Sequence, residues 1–347
     1  MRRPPLPFSA LPWTADLVTE LAITSAAIGR LDARISATSV APAWRLRASW
    51  SGYARALQLQ GFEIDEIDVY CWGCTIRLPG RPVLETASDP FADFATWRKM
   101  LAEPEGRHWN EDYPTTFEPP DQWHEAPPLV RTLDLLDAEC RAVRTIFPWL
   151  RLPILLRRFG VTSTPLPCLA LGDKAMRFGA PDRPALLKRL LKSLTRAADA
   201  GLANLRNIEA YRLRASTILA TERRPGKLRE LCHFALANPS LAARSVAPSL
   251  KITLSGAGKL LDRATRLGLM TEIAQRGSWR TYLATDTAIA LNLISASPGR
   301  PQLHERPPLS VDSILSKFDS EMAAIDASLR RLGATPAPQE YDQLTDL

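Results

Sequence analysis

From Pro184 to about Thr221 the sequence reads as one nearly uninterrupted helix, and no other feature limits the fold so strongly. Its only proline lies in the first turn, where a missing N–H costs nothing. Leu186, Leu187, Leu190, Leu191 and Leu194 recur at helical spacing and form a buried stripe. Pro225-Gly226 then breaks the chain and marks a domain boundary. With 347 residues, and roughly 100–200 per domain, two domains are expected. The fold class expected is mainly α: a helical domain over 1–225, a winged helix-turn-helix (three helices and a β-hairpin wing) over 226–290, and a heptad helix over 309–333.

Upstream of this long helix the pattern is also helical. Residues 14–37 form a helix capped by Thr14, with Asp16 in its first turn and Leu17, Leu21, Thr24, Ile28, Leu31 and Ile35 on one mostly apolar stripe. Pro42 starts a second helix, about 43–59, which stops at Gly61. Residues 62–82 allow a strand or a short helix. Segment 83–128 mixes Trp97, His108, Trp109, Tyr113, Phe117, Trp123 and His124 with acids and prolines. It reads as a helix near 91–102 followed by an ordered, aromatic-pinned loop. Residues 129–147 read as a Leu-rich helix ended by Pro148, with a further apolar helix over 154–159 and a buried connector at 165–172.

Charge is divided unevenly. The net value is +7, yet residues 60–139 hold 17 acidic and 6 basic residues. The C-terminal half is basic, with 9 basic and 4 acidic residues in 226–290. Anion binding is therefore expected there, as opposed to in the acidic N-terminal part. Five cysteines in a chain of this length do not make a disulfide framework and fit a reducing cytosol. The N-terminal MRRPPLPFSALPW has no apolar core of a signal peptide, and no window is apolar enough to span a bilayer. A cytoplasmic, nucleoid-associated protein of bacterial type, with no membrane partner, is expected.

Residues 226–285 carry the functional pattern. A first helix covers 227–237, with Leu228, Leu231, Cys232, Ala235 and Leu236 inward. Asn238-Pro239 reads as the start of a second, short helix, with Leu241, Ala242 and Val246 inward and Pro248 as its stop. Thr253 caps a third helix over 254–267. Ala257, Leu260, Leu261, Ala264 and Leu267 share one face; Ser255, Lys259, Asp262, Arg263 and Arg266 share the other. A recognition helix needs this division, one face locked in a core and one face free for the major groove. Gly256 and Gly258 lower helix propensity and allow either close approach to DNA or tight packing. Residues 270–274 and 279–284 form a hairpin around Gly277, with Arg276 and Arg280 placed for phosphates or the minor groove. The DNA-binding residues expected are Lys251, Thr253, Ser255, Gly256, Lys259, Arg263, Arg276 and Arg280, and the partner is double-stranded DNA.

The run LSGAGKLLDRATRLGLMTEIAQRGSWRTYLA resembles the C-terminal winged helix of an uncharacterised, often plasmid-encoded bacterial family. That family pairs a helical domain of unknown function with a helix-turn-helix domain. The resemblance extends over AIGRLDARI at 27–35, WSGYARALQLQGFEIDEIDVYCWG at 50–73 and LPCLALGD at 166–173, and it implies DNA binding. A fainter resemblance reaches Fic-type nucleotidyl transferases, but their His-Pro-Phe and Gly-Asn-Gly-Arg signatures are missing around His108, His124, His233 and His304.

Other chemistry is weakly represented. Cys71 and Cys74 have redox or zinc-ligand spacing but lack a second pair. No P-loop, dinucleotide fingerprint or nucleophile elbow occurs. No cofactor, metal or catalytic residue is expected. The alternatives are an enzyme whose helical domain uses the acidic 83–128 region, or a plasmid-maintenance interaction module. Near the C-terminus Val311, Leu315, Phe318, Met322, Ile325, Leu329 and Leu332 form an a/d seam, which would zip two copies together or fold back onto the first helix.

Overall fold

Thr14 opens the first helix, α1 (Ala15–Ala37), by accepting from the Leu17 N–H at 3.4 Å. In the computed structural model the described residues are 5–74, 89–103, 117–178, 182–273, 280–291 and 293–294. All belong to one unit, Met1–Ile294. The seam at 309–333, Arg276 in the hairpin turn, and His108, Trp109 and Tyr113 lie outside the described residues.

The described chain is mainly helical, with a small three-stranded sheet. After α1 come α2 (Ala41–Gln60), α3 (Glu66–Gly73), α4 (Phe94–Ala102), α5 (Pro128–Ala142), α6 (Phe147–Arg158) and α7 (Arg183–Thr221). Gly61 closes α2 at φ +105°, a conformation that costs glycine little. Residues 62–82, open to either reading in sequence, supply α3. Asp68 reaches back to accept from the Asp65 N–H at 3.0 Å and so fixes its first turn.

Two sequence boundaries change. The helix expected over 129–147 ends at Ala142, and Pro148 starts the next helix instead of ending this one. A proline in a first turn loses no intrahelical bond, so the same residue type marks a start as readily as a stop. The helix expected from 91 begins at Phe94.

α7, with 39 residues, is about 58 Å long at 1.5 Å per residue. That length lets it serve two cores. Leu186, Leu187, Leu190, Leu191 and Leu194 are buried in the larger core with α1, α2, α5 and α6. Tyr211 and Ala215, further along, belong to the second core. Thr24 of α1 ties into α7, its hydroxyl donating to the Leu191 carbonyl at 3.1 Å. Of the aromatic loop expected after residue 102, residues 103 and 117–128 are described. Trp123 is buried, packs on Phe117 and Phe159, and donates from Nε1 to Asp134 at 3.2 Å.

The second core gathers α8 (Leu228–Ala237), β1 (Ser240–Ala242), α9 (Ala243–Leu250), α10 (Leu254–Arg266), β2 (Met270–Glu272) and β3 (Thr281–Ala284), followed by α11 (Thr285–Ala290). The sheet order is β1-β3-β2, antiparallel throughout, with Leu241 opposite Tyr282 and Thr271 opposite Leu283. This corrects the helix start expected at Asn238-Pro239. Ser240–Ala242 pairs with β3 instead, and α9 begins after it, where the Ser245 hydroxyl accepts from the Ala242 N–H at 3.1 Å. Pro248 does not stop α9 either. In so short a helix it removes one bond near the end, and the chain turns only at Lys251, φ +53°.

The two cores are joined by Arg47 of α2, which is 6% exposed. Its guanidinium donates to the Leu236 carbonyl at 2.7 Å and the Ala235 carbonyl at 2.9 Å, both at the C-terminal end of α8. It also pairs with Asp286 at 2.7 Å and donates to Thr287 at 3.2 Å, both in the first turn of α11. One cation thus meets the negative end of one helix and an acid at the start of another. Ile67 and Cys71 of α3 add an apolar contact with Leu283 and Ala288.

Candidate nucleic-acid interface

α10 is set by its own cap and by the core beneath it. Thr253 accepts from the Gly256 N–H at 3.1 Å. Ala257, Leu261 and Ala264 are fully buried, while Leu260 and Leu267 are half-buried against the same cluster. Gly268 then turns the chain at φ +67°. The inner face expected from sequence is therefore the packed face. On the other side Ser255, Lys259 and Arg266 are exposed, and Lys251 stands exposed in the turn just before the helix. Among the described residues Lys251, Lys259 and Arg266 form no ion pair.

The glycines gain a clearer reading. A Cβ built at Gly258 meets nothing within 4 Å, and one at Gly256 meets only the Thr253 hydroxyl at 3.1 Å and Ile252 Cβ at 3.9 Å. Packing of α10 against a neighbouring helix therefore does not require glycine at Gly258. Its missing side chain lowers the profile of the open face.

Two of the expected arginines are already engaged. Arg263 pairs with Glu222, just past the end of α7, at a half-buried position. Arg280 donates bidentately to Glu272 at 2.7 and 2.6 Å, approaches Asp262 at 2.8 Å, and lies over the Tyr282 ring at 5.3 Å. Tyr282 itself donates to Asp262 at 2.9 Å. Arg280, Tyr282 and Asp262 thus tether the base of the hairpin to α10. With two carboxylates on its guanidinium, Arg280 presents little net charge to a phosphate. Asp262, placed on the open face by spacing, is occupied in the same way.

Leu254 was not singled out by its sequence. It is 60% exposed, in the first turn of α10 beside Thr253 and Ser255. Its spacing fits the buried stripe, since Ala257 and Leu261 follow at three and seven residues. Only its position ahead of the covering elements leaves it open. A methyl-bearing side chain there is suited to the C5-methyl of thymine.

The remaining reactive groups are built into packing. All five cysteines are free and buried. Cys71 lies 3.7 Å from the Ser240 hydroxyl, and burial pushes the Cys74 thiol up to about 12. The buried carboxyls of Asp134 and Glu139 are held above the usual carboxylate range, chiefly by burial. Asp134 holds the N-terminal segment through the Phe8 and Ser9 N–H groups, and Glu139 pairs with Arg151 at 3.0 Å. Among the described residues no cluster of three or more His, Cys, Asp or Glu is placed to hold a metal. Among them, too, no helix is long and apolar enough to cross a membrane. Neither family models nor the curated proteins yield a match to this chain.

Proposed function

We propose that the chain binds double-stranded DNA as a transcriptional regulator, in a bacterial-type cytoplasm and on the nucleoid, with α10 as the recognition helix of a winged helix-turn-helix. The observation that carries this reading is the two-sidedness of α10. An apolar face is sealed into the second core, while Ser255, Lys259 and Arg266, preceded by Lys251, stand exposed with no ion pair among the three cations in the described residues. The order α8, β1, α9, α10, β2, β3 agrees with a three-helix unit followed by a two-stranded wing. The wing's turn, including Arg276, lies outside the described residues.

In this reading Ser255, Lys259 and Leu254 face base edges, and Lys251 and Arg266 meet phosphates. Arg263 and Arg280 hold the unit together. Gel-shift titration over a salt series tests the assignment. Lys259→Ala is expected to weaken binding and relax the sequence preference, and Lys251→Ala to weaken binding to all sequences and lower the salt slope by about one. Unchanged affinity in both Lys259→Ala and Lys251→Ala overturns it.

A further inference from the structure

Where α7 runs alongside α8, the two helices line a half-open cleft of about 350 Å³. Tyr211, Ala215 and Cys232 are buried in its wall, and Leu219 and Leu236 are half-buried there. Arg212, Arg229 and His233 are exposed at it, the two arginines give it positive charge, and no carboxylate lines it. Among the described residues none of these three forms an ion pair. Arg212 reaches only the Ser39 hydroxyl.

We infer that this cleft binds a small organic carboxylate with an apolar body. A cleft lined by one sign of charge concentrates the opposite ion. A guanidinium fork matches a planar carboxylate with two parallel hydrogen bonds. The side chains of Ala215, Leu219, Cys232 and Leu236 offer apolar contact to one face of the molecule, which a bare inorganic anion would not exploit. The volume lies within the range of about 300–1,000 Å³ common for small-molecule pockets. The association is non-covalent, because burial pushes the Cys232 thiol up to about 11 and leaves it un-ionised near neutrality.

An occupant touches α7 and α8 together. Tyr211 in the wall reaches Met270 of β2 at 4.0 Å, so one wall residue also touches the sheet beside α10. The binding itself does not depend on the DNA-binding reading, and its test uses no DNA.

The full chain is titrated calorimetrically with 1-naphthoate, with the neutral 1-naphthamide, and with inorganic phosphate. Saturable binding of 1-naphthoate is expected, with both other probes at least tenfold weaker. Arg229→Gln and Arg212→Gln are each expected to weaken 1-naphthoate about tenfold, the factor associated with one charge-assisted hydrogen bond. Both side chains are exposed, and unchanged urea midpoints establish that the variants are folded. Failure of 1-naphthoate to bind overturns the inference. So does binding of the amide or of phosphate as tight as the carboxylate's, or indifference of the carboxylate to both substitutions.

Discussion

Replacing Arg47 by methionine tests how firmly the helical body holds the second core. Methionine keeps most of the aliphatic stem and removes the guanidinium. Four hydrogen bonds go with it, to Leu236, Ala235, Asp286 and Thr287. The largest loss is at Asp286, whose side chain is 8% exposed and whose Oδ1 already has no hydrogen-bond partner. Removing one member of a buried pair leaves an uncompensated charge, at a cost of about 3–5 kcal/mol. The two α8 carbonyls would add about 1–3 kcal/mol each if left dry. A cavity of about 60 Å³ adjoins Arg47, Asp286 and Thr287 but neither carbonyl, and water admitted there offsets part of the cost of the stranded charge. With that relief set against the loss at the carbonyls, Arg47→Met is expected to lower the unfolding free energy by about 3–5 kcal/mol. Urea unfolding followed by circular dichroism reads the change. The double variant Arg47→Met, Asp286→Leu should regain most of it, since an apolar pair has no charge to strand. A single-variant loss under about 1 kcal/mol, the size of a surface ion pair, would refute the reasoning. So would a double variant no more stable than the single one.

Gly258→Ala should raise stability by about 0.5–1 kcal/mol, because the new methyl meets no atom and the unfolded chain loses freedom. The same variant should lose affinity for duplex DNA in gel-shift titration, since the methyl projects where the backbone is to approach; unchanged affinity argues against this face as the contact. Arg280→Ala should leave the salt slope of DNA binding unaltered, because its charge is offset by Glu272 and Asp262, and a slope lowered by about one would show a direct phosphate contact. Iodoacetamide at about pH 8, where an ordinary thiol of pKa about 8.5 is partly ionised, should label the native chain slowly and the urea-unfolded chain fully. Burial keeps Cys74 and Cys168, each pushed up to about 12, and Cys232, pushed up to about 11, in the thiol form; rapid native labelling at any of these three would contradict the packing described.

Long amphipathic helices were readable from spacing alone. The run from Pro184 to Thr221 is α7 to within a residue, and 254–267 is α10 to within a residue. Each has a proline or a capping Thr at its start and a stripe long enough to repeat several times. The strand Ser240–Ala242 was not readable. Three residues cannot display an alternation, and the partner that makes them a strand, β3, lies about forty residues on. Pro148 misled for a local reason, as proline is compatible with either side of a helix boundary. At the candidate interface the faces of α10 were legible because burial follows periodicity. The engagement of Arg263 by Glu222 and of Arg280 by Glu272 was not, because ion pairs join residues through space. Arg47 was equally silent in sequence. A single arginine among the small and apolar residues of a helix is a weak signal until the α8 carbonyls and Asp286 are seen around it.

Selection of duplexes from a randomised pool by the full chain, run beside Lys259→Ala, tests the DNA-binding reading most directly. The native chain is expected to enrich a defined motif and to bind it with an affinity that falls as salt rises, while Lys259→Ala enriches a looser motif more weakly. Retention of no duplex above background at low salt, or identical motifs and affinities from both proteins, would contradict it.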